Sequence, residues 1–406
     1  MLKIDNLQSI NKIRVFLGCL IAFLMPFNHV MALKMFALFL CFVLALPLLG
    51  KTFRKNGLLY IFLFWVGAVF LSVFYSVDIR YSLSEYKSDF FYSLIGFVCI
   101  YQVSLERPVL IAKSIFFGWL TNAVLGLLWF FSGRSVDWFY WQHGVGQYST
   151  YLVIVTPFII WFLKNKPWYC VGAIFFNLCL LVLVPNRMAW ICLLFYFVFF
   201  AGFFYKKIRF GLNKKILSIG GIVLFALIAG LLIQIKSKPV NALAPEVSGN
   251  VEIIKTFTQN ERFGMWKFWL EKGQEHQWLG VGYGKSLPSR LYIDQMPTSW
   301  FSLMKAHAHN IFINTWLQSG WLGLLAFCMF IYALCRKFYL QKDISDKHRL
   351  LSYAVLMIVG GAVLKNFTDD FFSRNTMFIV FGLFGYWLAI LNLVNSAGDN
   401  NAHCAN

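Results

Sequence analysis

Charge is what this chain lacks most. Only 13 % of its 406 residues are Asp, Glu, Lys or Arg, against about 25 % in soluble domains, which excludes an ordinary water-soluble globule. Acidic residues are the scarcest, with 17 Asp and Glu against 36 Lys and Arg, a formal charge of +19. Cysteine is present but unpatterned. Eight of the nine (Cys19, Cys41, Cys99, Cys170, Cys179, Cys192, Cys328 and Cys335) lie within or at the ends of apolar runs. None has CxxC spacing and no exported loop carries one, so neither a zinc module nor a disulfide framework is implied. An internal repeat, a low-complexity linker and a small-residue cleavage site after the first apolar run are also missing, and no cleavable signal peptide is expected.

What fills the chain instead is hydrocarbon: 59 % of residues are hydrophobic and 19 % aromatic. Apolar runs recur at 14–32, 33–50, 58–76, 90–105, 108–132, 147–163, 168–184, 188–205, 216–235, 310–335, 350–365 and 376–394. Each approaches the roughly 20 residues a helix needs to cross the hydrocarbon layer. Because lipid offers no hydrogen-bond partners, the backbone must satisfy itself, and helices are the default spanning structure. The expectation is an all-α polytopic membrane protein with about twelve transmembrane helices and one large exported loop. Cations cluster in alternate loops: Lys51, Arg54 and Lys55; Lys164 and Lys166; Lys206, Lys207, Arg209, Lys214 and Lys215; Arg336, Lys337, Lys342, Lys347 and Arg349. The positive-inside rule then puts both termini in the cytoplasm. The basicity sets orientation, and no nucleic-acid partner is expected.

One connection differs in length. Residues 236–308 follow nine expected spans, divide the membrane regions 1–235 and 309–406, and lie on the far side of the membrane. Long loops of this kind are usually functional. Within it, "NERFGMWKFWLEKGQEH" repeats Arg262, Trp266, Trp269 and Gly273 at helical spacing, an amphipathic helix expected to lie on the bilayer surface, aromatic face down. "WLGVGYG" then breaks it. Its glycines lack the strand–helix context of a phosphate-binding loop.

Four groups of polar side chains share this exported face. In "KAHAHNIF", His307 and His309 precede the tenth span. Such a pair serves as wet interfacial polarity, as metal ligands or as a general base, since imidazole titrates near neutrality. A metal would need a third ligand, and carboxylates near the loop are sparse, so no metal and no cofactor is expected. Arg187, in "LVLVPNRMAW", sits between two apolar runs with almost no loop. It is either a snorkelling turn residue or an anion clamp, to which planar guanidinium is suited. Arg262 lies on the surface helix, and Asp369 and Asp370, with Arg374, occupy the last exported loop. Soluble nucleotide donors are cytoplasmic, so chemistry on this face would need a membrane-embedded donor.

From the arginine of "PNR" through "ERFGMW" and "WLGVGYG" to "HAHN", the chain resembles the O-antigen ligase and polymerase superfamily of bacterial inner membranes. The likeness covers roughly the C-terminal half; the N-terminal spans match only in number and hydropathy. It implies a multi-pass inner-membrane protein whose active site faces the periplasm, an inverting, metal-independent glycosyltransferase. The implied partners are a glycan on undecaprenyl pyrophosphate as donor, lipid A–core oligosaccharide as acceptor, and membrane lipid. It further implies that Arg187 and Arg262 bind the pyrophosphate, that His309 activates the acceptor hydroxyl with His307 beside it, and that Asp369 and Asp370 support them. Length, span number and a single dominant loop are more similar to a ligase than to a polymerase. A protein-modifying relative would carry a further exported domain after the last span. A lipid transporter would carry paired repeats and broken helices at mid-depth.

The topology is open to direct test: reporter fusions after Lys207 and within 240–300 should report opposite sides of the membrane. The same side for both would overturn the arrangement.

Overall fold

The computed structural model describes residues 2–50, 57–184, 186–208, 259–300, 305–368 and 370–403, and among them no strand occurs. In chain order the helices are α1 (Leu2–Leu24), α2 (Met31–Leu48), α3 (Gly57–Phe74), α4 (Ile79–Glu106), α5 (Pro108–Phe131), α6 (Ser135–Trp141), α7 (Val145–Phe162), α8 (Pro167–Leu183), α9 (Arg187–Ile208), α10 (Gln259–Glu275), α11 (Leu287–Tyr292), α12 (Ile311–Gln341), α13 (Asp346–Phe367) and α14 (Arg374–His403). Eight of them, α2 to α5, α7 and α12 to α14, are long and apolar enough to cross a membrane, and Pro167–Leu183 and Arg187–Phe199 are shorter apolar helices. The protein is therefore an all-α, multi-pass membrane protein. The ninth expected span, 216–235, and the start of the long loop, 236–258, lie outside the described residues.

Two expected spans begin or end elsewhere. The run 14–32 is not one helix: α1 stops at Leu24 and a turn leads to α2. Pro26 has no amide hydrogen and disfavours helix in the residue before it. The fourth span begins at Ile79 rather than 90, because Asp78 accepts the Tyr81 amide at 3.0 Å and caps a polar turn that hydropathy leaves out. This helix passes through a π-helical stretch, Lys87–Phe91, where Asp89 is turned inward and buried.

Close packing replaces hydrophobic exclusion as the glue between helices in lipid. The C-terminal part of α4 lies along α14, where a Cβ on Gly385 would stand 2.5 Å from the Phe97 carbonyl oxygen. Lys34 of α2, fully buried, donates to the Asn375 Oδ1 of α14 at 2.6 Å. Phe195 and Tyr196 of α9 pack on Gly360 and Gly361 of α13, and Phe199 meets Tyr353 at 5.6 Å. Residue numbers rise along α9 as they fall along α13. The pair is antiparallel, and Arg187 stands level with the last turn of α13.

Helix α12 is broken. Gly320 has φ 63° and ψ −167°, so the helix divides into a short piece, 311–319, and a long one, 321–341. The long piece alone extends about 30 Å at 1.5 Å per residue, enough to cross the hydrocarbon layer. The break thus lies toward one end of the span. Its exposed backbone groups are met by 277–284: Val281 and Gly282 amides donate to the Leu317 and Gln318 carbonyls at 2.9 and 3.2 Å, and the Trp321 and Leu322 amides donate to the Gln277 and Trp278 carbonyls at 2.8 and 3.3 Å. The "WLGVGYG" segment is the plug of a broken helix.

A Cβ at Gly320 would stand 2.1 Å from the Trp278 carbonyl carbon, at a positive φ. Gly320→Ala should therefore cost roughly 2–5 kcal/mol, read as a large fall in the thermal midpoint of purified protein. Gly172→Ala, with nothing within 4 Å of the new methyl, should leave the midpoint unchanged or slightly raised.

Candidate active site

The short piece of α12 begins where the polar residues of the sequence converge. Asn310 caps it, its Oδ1 accepting the Phe312 and Ile313 amides at 2.9 and 3.1 Å, while its Nδ2 donates to the Phe367 carbonyl at the end of α13 at 2.9 Å. The residues before the cap are held as tightly. The Ala308 amide donates to Asn314 Oδ1 at 2.9 Å, and the His309 amide donates to His307 Nδ1 at 3.0 Å. These bonds hold His309 at φ +50°, a conformation uncommon for a residue with a side chain. The two imidazoles lie 4.0 Å apart between centroids, tilted by 37°.

With its Nδ1 accepting a backbone hydrogen, neutral His307 carries its proton on Nε2. Burial, then the Lys285 ammonium, then His309 hold its imidazole well below the ordinary value. His307 is thus a brace for the backbone of His309, and a poor proton acceptor. His309, 9 % exposed, stands at the edge of the protein interior.

Asp370 closes the other side. Its Oδ2 accepts from Asn314 Nδ2 at 2.5 Å, its Oδ1 accepts the Phe372 amide at 3.2 Å, and its carbonyl accepts from Lys285 Nζ. Asn314 Nδ2 also stands 3.5 Å from His307 Nδ1, so one amide touches both the carboxylate and the histidine pair. Asp369 lies outside the described residues.

Helix α10 ties these loops together. Arg262 donates to the Thr368 carbonyl at 3.0 Å, and Trp266 Nε1 donates to the Ala308 carbonyl at 2.8 Å. The aromatic face expected to lie on lipid is instead largely covered by protein. Met265 and Trp269 are fully buried with Val281, Leu287, Tyr292, Met296, Ala308 and Leu317 in a second, smaller core, while Phe263 and Leu270 stay exposed. The correction has a plain cause: the 277–300 segment folds back on this helix and supplies a protein surface where lipid was expected.

His307, His309, Asp370 and Arg262 are thus brought into one bonded neighbourhood. Arg187, exposed at the start of α9, is set at the same end of the bundle by the α9–α13 register. Lys285 and Asn314 belong to the neighbourhood and were missed. Asn314 had a readable signal, a second amide one turn after Asn310 on the same face of an apolar helix. Lys285 had none, since its approach to Asp370 depends on how the plug folds. Among the described residues, no three His, Cys, Asp or Glu side chains gather as a metal-ligand set.

A cluster at one end of the bundle with an imidazole, a braced carboxylate and several cations has the groups to take a proton from a hydroxyl and hold an anionic leaving group. Residues 172–328 match the family model described as O-antigen ligase, which supports membership of the O-antigen ligase superfamily. The match runs from α8 into the long piece of α12 and takes in Arg187, Arg262, Lys285, His307, His309 and Asn314; Asp370 comes from beyond it. No curated protein matches the chain.

The depressed His307 imidazole has a stability consequence. Its folded value lies below the unfolded value of about 6.5, so below that pH the unfolded chain takes up a proton that the folded chain refuses, and stability falls as the pH drops. His307→Gln removes this contribution. Between pH 7 and 5 the variant should lose less stability than the parent, by on the order of 1 kcal/mol, seen as a shallower fall in thermal midpoint; parallel falls would refute it.

Proposed function

We propose that this protein is an O-antigen ligase, an inverting glycosyltransferase that moves a glycan from undecaprenyl pyrophosphate to lipid A–core on the periplasmic face of a bacterial inner membrane. The observation that carries this is the union of His309, its brace His307, Asn314, Arg262 and Lys285, all within the segment that matches the O-antigen ligase family, with Asp370 from beyond that segment. In the reaction the acceptor oxygen attacks C1 of the donor sugar as its proton passes to His309. The bond from C1 to the phosphate oxygen breaks, and undecaprenyl pyrophosphate leaves with the electron pair. Arg187 and Arg262 stabilise that developing charge with fixed guanidinium groups in place of a metal. Asp370, through Asn314, holds the histidine loop in register.

A ligase is favoured over a polymerase by the single large loop that the hydropathy pattern leaves between the apolar runs. The break in α12 is a feature that transporters also carry, but those breaks lie at mid-depth, whereas here an intact length of helix remains beyond it.

The test is transfer by purified protein with lipid-linked glycan and lipid A–core. His309→Ala should lose roughly 10²–10⁴-fold in rate while still binding donor, and His307→Ala should lose less. Arg187→Lys keeps charge but not the planar fork, and should lose on the order of 100-fold. Activity in both histidine variants would end the catalytic assignment. In cells, deletion should leave lipid A–core uncapped while lipid-linked polymer accumulates; a single repeat on the core would point to the polymerase.

A further inference from the structure

A second group of rings stands at the same end of the bundle and plays no part in the reaction just described. His29, in the turn between α1 and α2, lies 4.2 Å from Trp141 at the end of α6 and 6.4 Å from His143 beyond it, ring centroid to centroid. Trp129 of α5 backs Trp141 at 5.0 Å. All three outer rings are exposed, Trp141 by 42 %. No hydrogen bond among the described residues uses either imidazole. The group adjoins the reaction face through the backbone: His143 is three residues before Gly146, against which Phe371 packs, and Phe371 follows Asp370.

Strain marks the same place independently. Among the described residues three that are not glycine adopt a positive φ: His143 at 57°, His309 at 50° and Arg374 at 44°. One is the proposed base, and the other two belong to this rim. Such conformations persist only where the surroundings enforce them, and they gather at functional sites. Arg374 is engaged, its guanidinium with Glu85 at 2.9 Å and its amide with Asp89 at 2.5 Å. Burial and then the Arg374 charge hold the His143 imidazole below its ordinary value, so at neutral pH it offers a donor and an acceptor rather than a cation. An exposed indole flanked by two imidazoles suits an uncharged ring carrying hydroxyls: the polarised C–H groups of a pyranose lie on the π face, and its hydroxyls bond to the imidazole nitrogens. A belt of membrane-interface aromatics would explain the tryptophans, but not two exposed histidines, one of them strained.

We propose that Trp141, His29 and His143 form a saccharide subsite that holds an uncharged sugar ring of a glycan whose end is presented to His309. The assignment rests on the glycosyl-transfer reading and adds to it where the remainder of the glycan lies. The ring could belong to the acceptor or to the donor glycan, and steady-state kinetics separate them, since only the substrate seated on the rim changes its KM.

The experiment uses full-length protein in detergent with two variants. Trp141→Ala removes the platform and should raise KM for one substrate by roughly threefold to tenfold, with kcat little changed. His143→Gly relieves the positive φ and retains the turn. A structural role for His143 predicts equal or higher thermal stability with KM unchanged, whereas the subsite predicts a weaker KM in a protein at least as stable. Binding of delipidated oligosaccharide, released from the acceptor glycolipid and separately from the donor by mild acid, is then measured by saturation-transfer NMR on the His309→Ala background, which does not turn over. Loss of that signal on adding Trp141→Ala supports the subsite. Unchanged KM for both substrates together with an unchanged signal would overturn it and leave the rings as interfacial anchors. Should His309→Ala itself remain active, the catalytic reading fails, while the binding measurement still judges the rim.

Discussion

Backbone hydrogen bonding in a medium without water is the constraint on which the rest of this structure depends. A helix within lipid must keep its own ladder intact or find substitutes for each group it releases. At Gly320 the ladder of α12 is interrupted, and the substitutes come from 277–284, in the connection that precedes α12. Once that segment is committed to the break, α10 is drawn against α12, where Gly273 meets Trp316. Its Arg262 and Trp266 then reach the two loops that carry the carboxylate and the histidines. The polar neighbourhood is thus a consequence of repairing a helix.

Electrostatics follow from that geometry. The cations Arg262 and Lys285 both end on backbone carbonyls of the α13–α14 connection, at Thr368 and Asp370. A guanidinium or ammonium bound to carbonyls keeps its full charge, because a carbonyl is a dipole and not a counter-ion. Arg374 is different: the Glu85 carboxylate lies against it. One end of the bundle therefore holds two cations bonded to loop carbonyls near the histidines, and an arginine set against a carboxylate beside the outer rings. In the proposed reaction the first suits a pyrophosphate and the second an uncharged sugar.

Much of this was legible in the sequence, for reasons that differ by element. The all-α membrane class followed from run length and scarce charge, which depend on composition alone. His307, His309, Arg262 and Asp370 were legible as a group because topology counting assigns a side to each polar residue, and a shared side is a strong restriction in a membrane. The turn at Pro26 was passed over because apolar residues flank it and hydropathy averages over them. The polar start of α4 at Ile79 was lost for the opposite reason, its cap at Asp78 being visible only as a hydrogen bond. The glycines of "WLGVGYG" could be denied a phosphate-binding role for want of context, yet nothing local showed that their partner was a break forty residues downstream in an apparently continuous apolar run. Lys285 was illegible for the same reason.

The stitching of α10 to both loops also orders events during synthesis. Chains are made from the N-terminus, so the histidine loop and α10 are made before α13 and α14 have left the ribosome. Until those last helices insert, Thr368 and Asp370 are absent, Arg262 lacks its carbonyl and Asn314 lacks its carboxylate. A partly inserted chain holds the fragments of the site without their alignment. Maturation is thereby coupled to completion: the polar neighbourhood is assembled only when α13 and α14 close against the rest of the bundle.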